Sequence, residues 1–273
     1  NKVCGSGMRA VMNVHDALAA GSAEIMVAGG MENMTNAPYM LPKARSGYRI
    51  GHSQIFDHMM MDGLEDAYDK GRAMGTFGEE CAEKYQFTRE AQDAFAIESV
   101  KRAQQASTDG TFATEIAPVT VTTRAGEVVV DTDEGPGKIK TEKIPTLKPA
   151  FKKDGTITAA SSSSINDGAA ALVLMRASKA KALGLNPIAK MCGHTTFAHA
   201  PNWFTTAPVT CIERLLKKNN WTVDSVDLWE INEAFAVVPM AAMHDLNIPH
   251  SKVNVHGGAC ALGHPIGASG ARI

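Results

Sequence analysis

An α/β fold is predicted because helical and strand-like segments alternate along the chain. Apolar residues at three- and four-residue steps predict a helix over 8–20. A short apolar strand over 24–28 follows, and Gly29 and Gly30 are expected to end it. The continuous apolar run 169–175 is typical of a strand buried on both faces. Alternation of this kind favours helices layered on sheets.

The segment between these strands has a different character. A helical pattern runs over 76–106, and Thr88 is placed to cap a helix within it. Residues 115–130 alternate like a hairpin with its turn at 124–126, and 131–153 is charged and predicted to be irregular. More than a hundred residues of such mixed structure indicate an insertion between core elements.

The core pattern then returns in the last third of the chain. Its predicted helices cover 177–183, 209–219 and 236–246, and its predicted strands cover 188–193, 226–231 and 253–255.

Composition is typical of a soluble globular protein: 273 residues, 44% hydrophobic and 21% charged. The formal net charge of -2 gives no sign of a nucleic-acid partner or a membrane surface. The five cysteines are scattered, odd in number and without zinc-type spacing, so we expect a reducing, cytoplasmic compartment. The chain opens with Asn inside a motif; we therefore expect preceding residues in the natural protein, and organellar targeting stays open.

Cys4 is the first candidate for chemistry. It stands at the start of the first predicted helix, where free amides and the helix dipole favour a thiolate. Gly5 and Gly7 allow a ligand or another chain to come close. The alternative is a structural cysteine beside a tight turn, because free cysteine is often a small core residue.

His264 and Asn232 are the other two candidates. Pro265 holds the residue before it extended, so His264 sits on a rigid turn, as a general base or hydrogen-bond donor should. A helix expected from near Ala268 would point its amides at the same region. Asn232 ends a predicted strand, where sites of open α/β sheets form. The alternatives are a glycine-rich structural turn with a surface histidine, and an asparagine that caps a helix.

Cysteine, asparagine and histidine together suggest acyl transfer through a thioester. A papain-like protease uses the same three residue types, but in the order Cys, His, Asn. The order here is Cys4, Asn232, His264, which argues against that class.

Taken together, these motifs resemble the thiolase family over essentially the whole chain. The matching segments follow the family's order and spacing: 4–10, 27–32, 166–171, 232–235 and 263–272. The resemblance implies a five-layered α-β-α-β-α thiolase fold built from two similar halves with an inserted loop domain. It implies part of the N-terminal core half in 1–36, the loop domain in 37–164, the last strand of that half in 165–186 and part of the C-terminal half in 187–273. It also leads us to expect that the chain is truncated at both ends.

The family branch that the chain resembles most is the acetyl-CoA C-acetyltransferases. Their reaction condenses two acetyl-CoA to acetoacetyl-CoA and CoA, or runs in reverse as thiolysis, through an acetyl-cysteine. The resemblance implies that Cys4 is the nucleophile and that His264 activates it and holds the thioester oxygen of the second acetyl-CoA. Asn232 would position a water that completes this oxyanion hole.

The resemblance further implies residues that line the path of CoA: Leu64, Met74, Leu147, Ala150, Phe151, Ser163, Ala234 and Phe235. No tightly bound cofactor and no metal are expected, since CoA is substrate and product. The expected partners are acyl-CoA and further copies of the chain in a homodimer or homotetramer, with no nucleic acid and no membrane.

The sequence departs from the family pattern at several positions. Ala73 stands where many relatives carry histidine, and Pro136 stands where a basic residue often lies near the CoA phosphates, with Lys138 and Lys140 close by. Cys260 aligns with an apolar position and is expected to be a packing residue. The family's second cysteine, which takes the α-proton, is expected beyond the last residue of this chain.

Three other functions stay open at this level. One is a 3-ketoacyl-CoA thiolase of fatty-acid β-oxidation with longer substrates, and another is a non-catalytic CoA- or lipid-binding relative. The third is a decarboxylating ketoacyl synthase, although no second histidine motif of that class is found.

Overall fold

The computed structural model describes residues 2–273, which form alternating helices and strands. The helices are α1 (Ser6–Ala19), α2 (Met74–Tyr85), α3 (Arg89–Thr108), α4 (Glu134–Lys138), α5 (Ala177–Ala182), α6 (Ala207–Asn219), α7 (Val237–Leu246), α8 (Ala259–Leu262) and α9 (Ile266–Arg272). The strands are β1 (Ile25–Glu32), β2 (Tyr39–Met40), β3 (Phe56–Asp57), β4 (Val119–Thr123), β5 (Gly126–Val130) and β6 (Gly168–Met175). Single turns of 3₁₀ or π helix occupy Val3–Gly5, Met60–Leu64, Phe112–Thr114, Thr141–Thr146, Pro201–Thr206, Val223–Ser225 and His250–Lys252.

The helix predictions are confirmed within a residue or two at most ends. The predicted segment 76–106 is two helices, α2 and α3, and Thr88 caps the second by accepting a hydrogen bond from the Ala91 amide at 3.2 Å. The predicted hairpin is formed by β4 and β5, which pair antiparallel. Thr123 and Gly126 are the last paired residues before the turn. In the part of the chain that the structure describes, no helix is long and apolar enough to cross a bilayer.

Strand β1 runs through the glycine pair that was expected to end it. It pairs antiparallel with β6, and Gly29 lies opposite Ala171. The prediction that β6 is buried on both faces is wrong: Val173 is 66% exposed and Val27 on β1 is 67% exposed. Helices α1 and α9 pack against this ribbon, and both strands still carry exposed residues, three of them in succession at 171–173.

The other strands predicted in the last third do not form ladders. Residues 188–193 form no strand within residues 2–273: Ile188 lies in a bend and is fully exposed. Residues 226–231 and 253–255 meet in a single parallel bridge, Trp229 to Val253. A segment with strand propensity forms a strand only where another strand lies beside it. An apolar run by itself does not supply that partner.

The main apolar core lies between α2, α6 and α7. Its buried members include Ile157, Trp229, Ile231, Phe235 and Val237. A second cluster joins α3 to α8 through Val100, Ala103, Phe112, Ala261 and Leu262. The predicted insertion is therefore packed on the C-terminal elements, while its boundaries stay predictions. The two clusters flank the segment that carries Asn232 and the turn that carries His264.

Candidate active site

Cys4 lies in the single helical turn Val3–Gly5, directly ahead of α1, and is exposed. The backbone of Val3 has a φ of 47°, in the left-handed region that β-branched residues rarely adopt. Strain of this kind persists only where the surroundings hold it, and it is concentrated at functional sites. A strained turn thus presents Cys4 at the head of a helix.

The pKa of Cys4 corrects the expectation of a thiolate. Desolvation raises the pKa of the thiol to about 11, and the nearby Glu32 carboxylate adds to the rise while a backbone hydrogen bond opposes it. Solvent reaches the residue, but the protein around its sulfur disfavours the charged form more than the helix start favours it. At neutral pH Cys4 is a thiol, and its use as a nucleophile requires a base.

His264 is 5% exposed and lies between α8 and α9. Its Nδ1 is 2.6 Å from Ser269 Oγ, which is 3.2 Å from the Pro265 carbonyl oxygen. That carbonyl can only accept, so the serine hydroxyl donates to it and accepts from Nδ1–H. Nε2 is then left as an acceptor. It lies 3.3 Å from the Asn232 Nδ2 amide, a donor, so the two contacts agree on one tautomer.

The charge state of His264 suits a base. Desolvation by burial lowers its pKa to about 4, so the ring is neutral at pH 7. A neutral imidazole with an unprotonated Nε2 can take a proton, and the imidazolium that results can donate a hydrogen bond from the same atom.

Asn232 does not cap a helix. Helix α7 begins at Val237, and Ala236 precedes it without a side-chain cap. Asn232 is half-buried, and its amide contacts His264 instead.

Close backbone contacts bring the first and last motifs together. Helix α9 packs on α1, β1 and the turn that carries Cys4. A Cβ on Gly7 would lie 2.7 Å from the Ala271 nitrogen, and one on Gly30 would overlap the Gly267 carbonyl oxygen. The Gly267 amide also donates to Glu32 Oε2 at 3.0 Å. The helix that follows His264 is thereby fixed against the turn that carries Cys4.

Glu233 is a buried carboxylate that sequence reasoning did not single out. It is fully buried and accepts hydrogen bonds from Ser99 Oγ at 2.7 Å, Asn254 Nδ2 at 2.8 Å and the Cys260 amide at 3.0 Å. Burial raises its pKa, and the three donors oppose that rise. The Gly258 amide in turn donates to Ser99 at 3.0 Å. Glu233 thus ties the segment of Asn232 to α3 and to the turn before α8.

The other residues missed from sequence were Ser269 and Glu32. Both lie inside the matching family segments, 263–272 and 27–32. The sequence feature that could have singled them out is a polar residue within a short glycine-rich or apolar stretch. Their roles depend on contacts to His264 and to Gly267 that local pattern does not reveal.

Five of the eight residues predicted to contact CoA pack on one core region. Ser163 donates to the Ala234 carbonyl oxygen from its amide and its hydroxyl, each at 3.1 Å. The Phe151 and Phe235 rings meet edge to face at 5.7 Å, and Met74 packs against the same core. Phe235 is only 8% exposed, so it packs within this core region more than it lines a surface.

The other three lie elsewhere in the inserted segment. Leu64 ends the π turn, the Leu147 carbonyl accepts from Arg89 at 2.9 Å, and the Ala150 amide donates to Ile157 at 2.9 Å.

The departures from the family pattern have structural explanations at three positions. Pro136 is buried in α4, and its carbonyl accepts from Gln104 at 2.8 Å. Lys138 pairs with Glu134 on the surface. Cys260 is 4% exposed, packs with Phe95 and has its pKa raised by burial, as a packing residue should.

An open cavity of about 600 Å³ adjoins the first motif. It is lined on one side by Val3, Ser6 and Glu32 and on the other by His58 and Met59. The site therefore borders a space large enough for part of a substrate.

Two family models of known proteins match the chain. The family model "Thiolase, N-terminal domain" matches residues 1–178, and "Thiolase, C-terminal domain" matches residues 185–273. The chain is similar to a probable acetyl-CoA acetyltransferase from Dictyostelium discoideum (48% identical) and to acetyl-CoA acetyltransferase 1 from Arabidopsis thaliana (49% identical). Each comparison covers 100% of this chain and 66% of the relative, so the chain spans about two thirds of their length.

A solved structure, the Acat5 thiolase from Ascaris suum in complex with coenzyme A, matches with a TM-score of 0.94 and 43% identity, over 100% of this chain and 69% of that one. The thiolase fold expected from the motifs is confirmed, and the chain belongs to the thiolase family.

Proposed function

We propose that this protein is an acetyl-CoA C-acetyltransferase, which condenses two acetyl-CoA to acetoacetyl-CoA and CoA through an acetyl group on Cys4. One observation carries the proposal: a neutral His264 faces Asn232 through Nε2 at 3.3 Å, and the helix after it packs on the turn of Cys4. The names of the similar proteins support the same reaction.

In the first step His264 Nε2 takes the thiol proton of Cys4. The sulfur attacks the acetyl carbonyl carbon, the bond from that carbon to the CoA sulfur breaks, and CoA leaves as a thiolate while the proton stays on His264. The pKa values of about 11 and about 4 disfavour a stable thiolate–imidazolium pair. Proton transfer therefore accompanies the attack on bound substrate rather than preceding it.

In the second step the thioester oxygen of another acetyl-CoA gains negative charge as its α-carbon becomes nucleophilic. The imidazolium of His264 and a water held by Asn232 donate to that oxygen, and each such donor is worth roughly 10²–10³ in rate. The α-proton needs a further base, the role that the family resemblance gives to the second cysteine. The new carbon–carbon bond forms as the acetyl group leaves Cys4. The Cys4 thiolate then takes back the proton from His264, and the α-proton passes from the base to the CoA thiolate.

The substrate and setting complete the proposal. CoA is substrate and product rather than a tightly held cofactor, and a similar thiolase was solved with coenzyme A. Of the eight residues that the family resemblance implies for CoA, we expect the less buried ones, rather than Phe235, to touch it. The protein works in the cytoplasm as a homodimer or homotetramer; the scattered, odd-numbered cysteines support a reducing compartment.

The test is to trap the acyl-enzyme with radiolabelled acetyl-CoA and map the labelled peptide. We expect label on Cys4 in the intact protein and none after Cys4→Ala. Cys260→Ala tests the buried thiol and Cys192→Ala an exposed one, and both should keep the label and most activity. Label on Cys260, or a Cys260→Ala protein as inactive as Cys4→Ala, would contradict the assignment. A series of acyl-CoA chain lengths in thiolysis then shows whether acetyl or longer acyl groups are preferred.

A further inference from the structure

A cluster of two histidines and one aspartate joins α1 to the extended segment around residue 194. His15 Nδ1 lies 3.1 Å from Asp16 Oδ1, and His194 Nε2 lies 2.7 Å from the same oxygen. The three atoms all lie within 4.8 Å of one another. Among residues 2–273, this is the one place where three such ligand atoms gather. None of the three residues takes part in the acyl transfer proposed above.

The spacing of the three atoms is close to that of a zinc coordination shell. Zinc bonds to histidine nitrogen and carboxylate oxygen are about 2.0–2.2 Å long, so tetrahedral ligand atoms lie about 3.3 Å apart. The distance from His15 Nδ1 to Asp16 Oδ1, 3.1 Å, is close to this value. The distance from His194 Nε2 to the same oxygen, 2.7 Å, must increase by about 0.6 Å for an ion to bind. Asp16 has an exposed side chain that can make such a shift.

The chemistry of the three groups also suits a cation. Two imidazoles and a carboxylate are ligands that zinc and similar divalent transition metals prefer. Lys218, the nearby ammonium, donates to the backbone oxygen of His194 at 3.2 Å rather than to the ring. The exposure of Asp16 leaves room for water as a remaining ligand.

We propose that His15, Asp16 and His194 bind one divalent transition-metal ion of the zinc class and that the ion fastens α1 to the segment around residue 194. Asp16 and His194 are 178 residues apart in sequence, so the ion closes a long loop. Binding to the folded state alone stabilises that state by mass action. The two halves matched by the N- and C-terminal thiolase models are thereby linked by one ion.

The experiment uses the intact protein, stripped with a chelator and with its exposed thiols blocked so that Cys4 and Cys192 do not bind the metal. Zn²⁺ alone is titrated by calorimetry, and Co²⁺ reports tetrahedral coordination by its visible absorption. We expect one equivalent bound, with affinity at least about tenfold weaker after His194→Ala or Asp16→Asn. His244→Ala is the matched control, because His244 and Asp245 form a similar pair at 2.9 Å without a third ligand.

Thermal unfolding supplies a second measurement. Zn²⁺ should raise the Tm of the unaltered protein and of His244→Ala, but not that of Asp16→Asn. Asp16 is more than half exposed, so this variant folds even if His194→Ala does not. Absence of stoichiometric binding to the unaltered protein would overturn the proposal. So would equal Zn²⁺ affinity of Asp16→Asn and the unaltered protein.

Discussion

The Nδ1 nitrogen of His264 lies 2.6 Å from the hydroxyl oxygen of Ser269 in helix α9, and this contact decides which ring nitrogen faces Asn232. The serine hydroxyl donates a hydrogen bond to the Pro265 carbonyl oxygen, so its own oxygen accepts one from Nδ1–H of the ring. A residue five positions from the histidine thus sets the atom that is free to act as a base.

Ser269→Ala should lower kcat about tenfold with a smaller change in KM. The substitution removes a hydrogen bond that stabilises the imidazolium and fixes the ring tautomer. A tenfold loss corresponds to about 1.4 kcal/mol in activation free energy, the size of one such hydrogen bond. Steady-state thiolysis measures the effect. If only the unfolding midpoint moves and kcat does not, Ser269 is structural and its positioning role is wrong.

Asn232→Ala should lower kcat roughly 10²-fold or more, because a transition-state donor to the thioester oxygen is lost. Asn219→Ala on α6 is the control, since that amide donates to the Leu215 carbonyl of its own helix at 3.0 Å and should leave kcat unchanged. A rise in KM alone for Asn232→Ala would assign Asn232 to substrate binding.

Alkylation of Cys4 by iodoacetamide should rise about tenfold per pH unit from pH 7 to 10, without a plateau below about pH 11. The thiolate fraction grows with pH up to the pKa, which is about 11. Peptide mass spectrometry after timed quenching measures the rate. His264→Asn should leave the profile unchanged, since the ring does not hold the proton in the free protein. A plateau near pH 7 that His264→Asn removes would reveal a preformed ion pair and contradict the coupled proton transfer.

Ser99→Ala should lower the free energy of unfolding by about 1–3 kcal/mol, because it leaves Glu233 and the Gly258 amide each short of a buried partner. Urea unfolding measures the change. Ser107→Ala is the matched control on the same helix, since its hydroxyl donates to the Ala103 carbonyl one turn earlier. That variant should stay within about 0.5 kcal/mol of the unaltered protein. Equal effects of both changes would show that Glu233 does not depend on Ser99.

Helices were predictable because their signals are local. Apolar spacing located α1, and the Thr88 cap located the start of α3. Strands were less predictable, since a ladder needs a partner that the segment does not contain. Residues 188–193 and 226–231 show the limit: both were predicted as strands, and neither joins a ladder among residues 2–273.

The sequence by itself determined which residue types are candidates for the site, because the family motifs carry Cys4, Asn232 and His264 in a specific order. Only the tertiary structure decided their protonation. The helix start at Cys4 favours a thiolate, yet desolvation raises the pKa of the thiol to about 11 and lowers that of His264 to about 4. Desolvation arises when atoms from distant parts of the chain surround a group and displace water from it. It therefore exists only after the chain has folded.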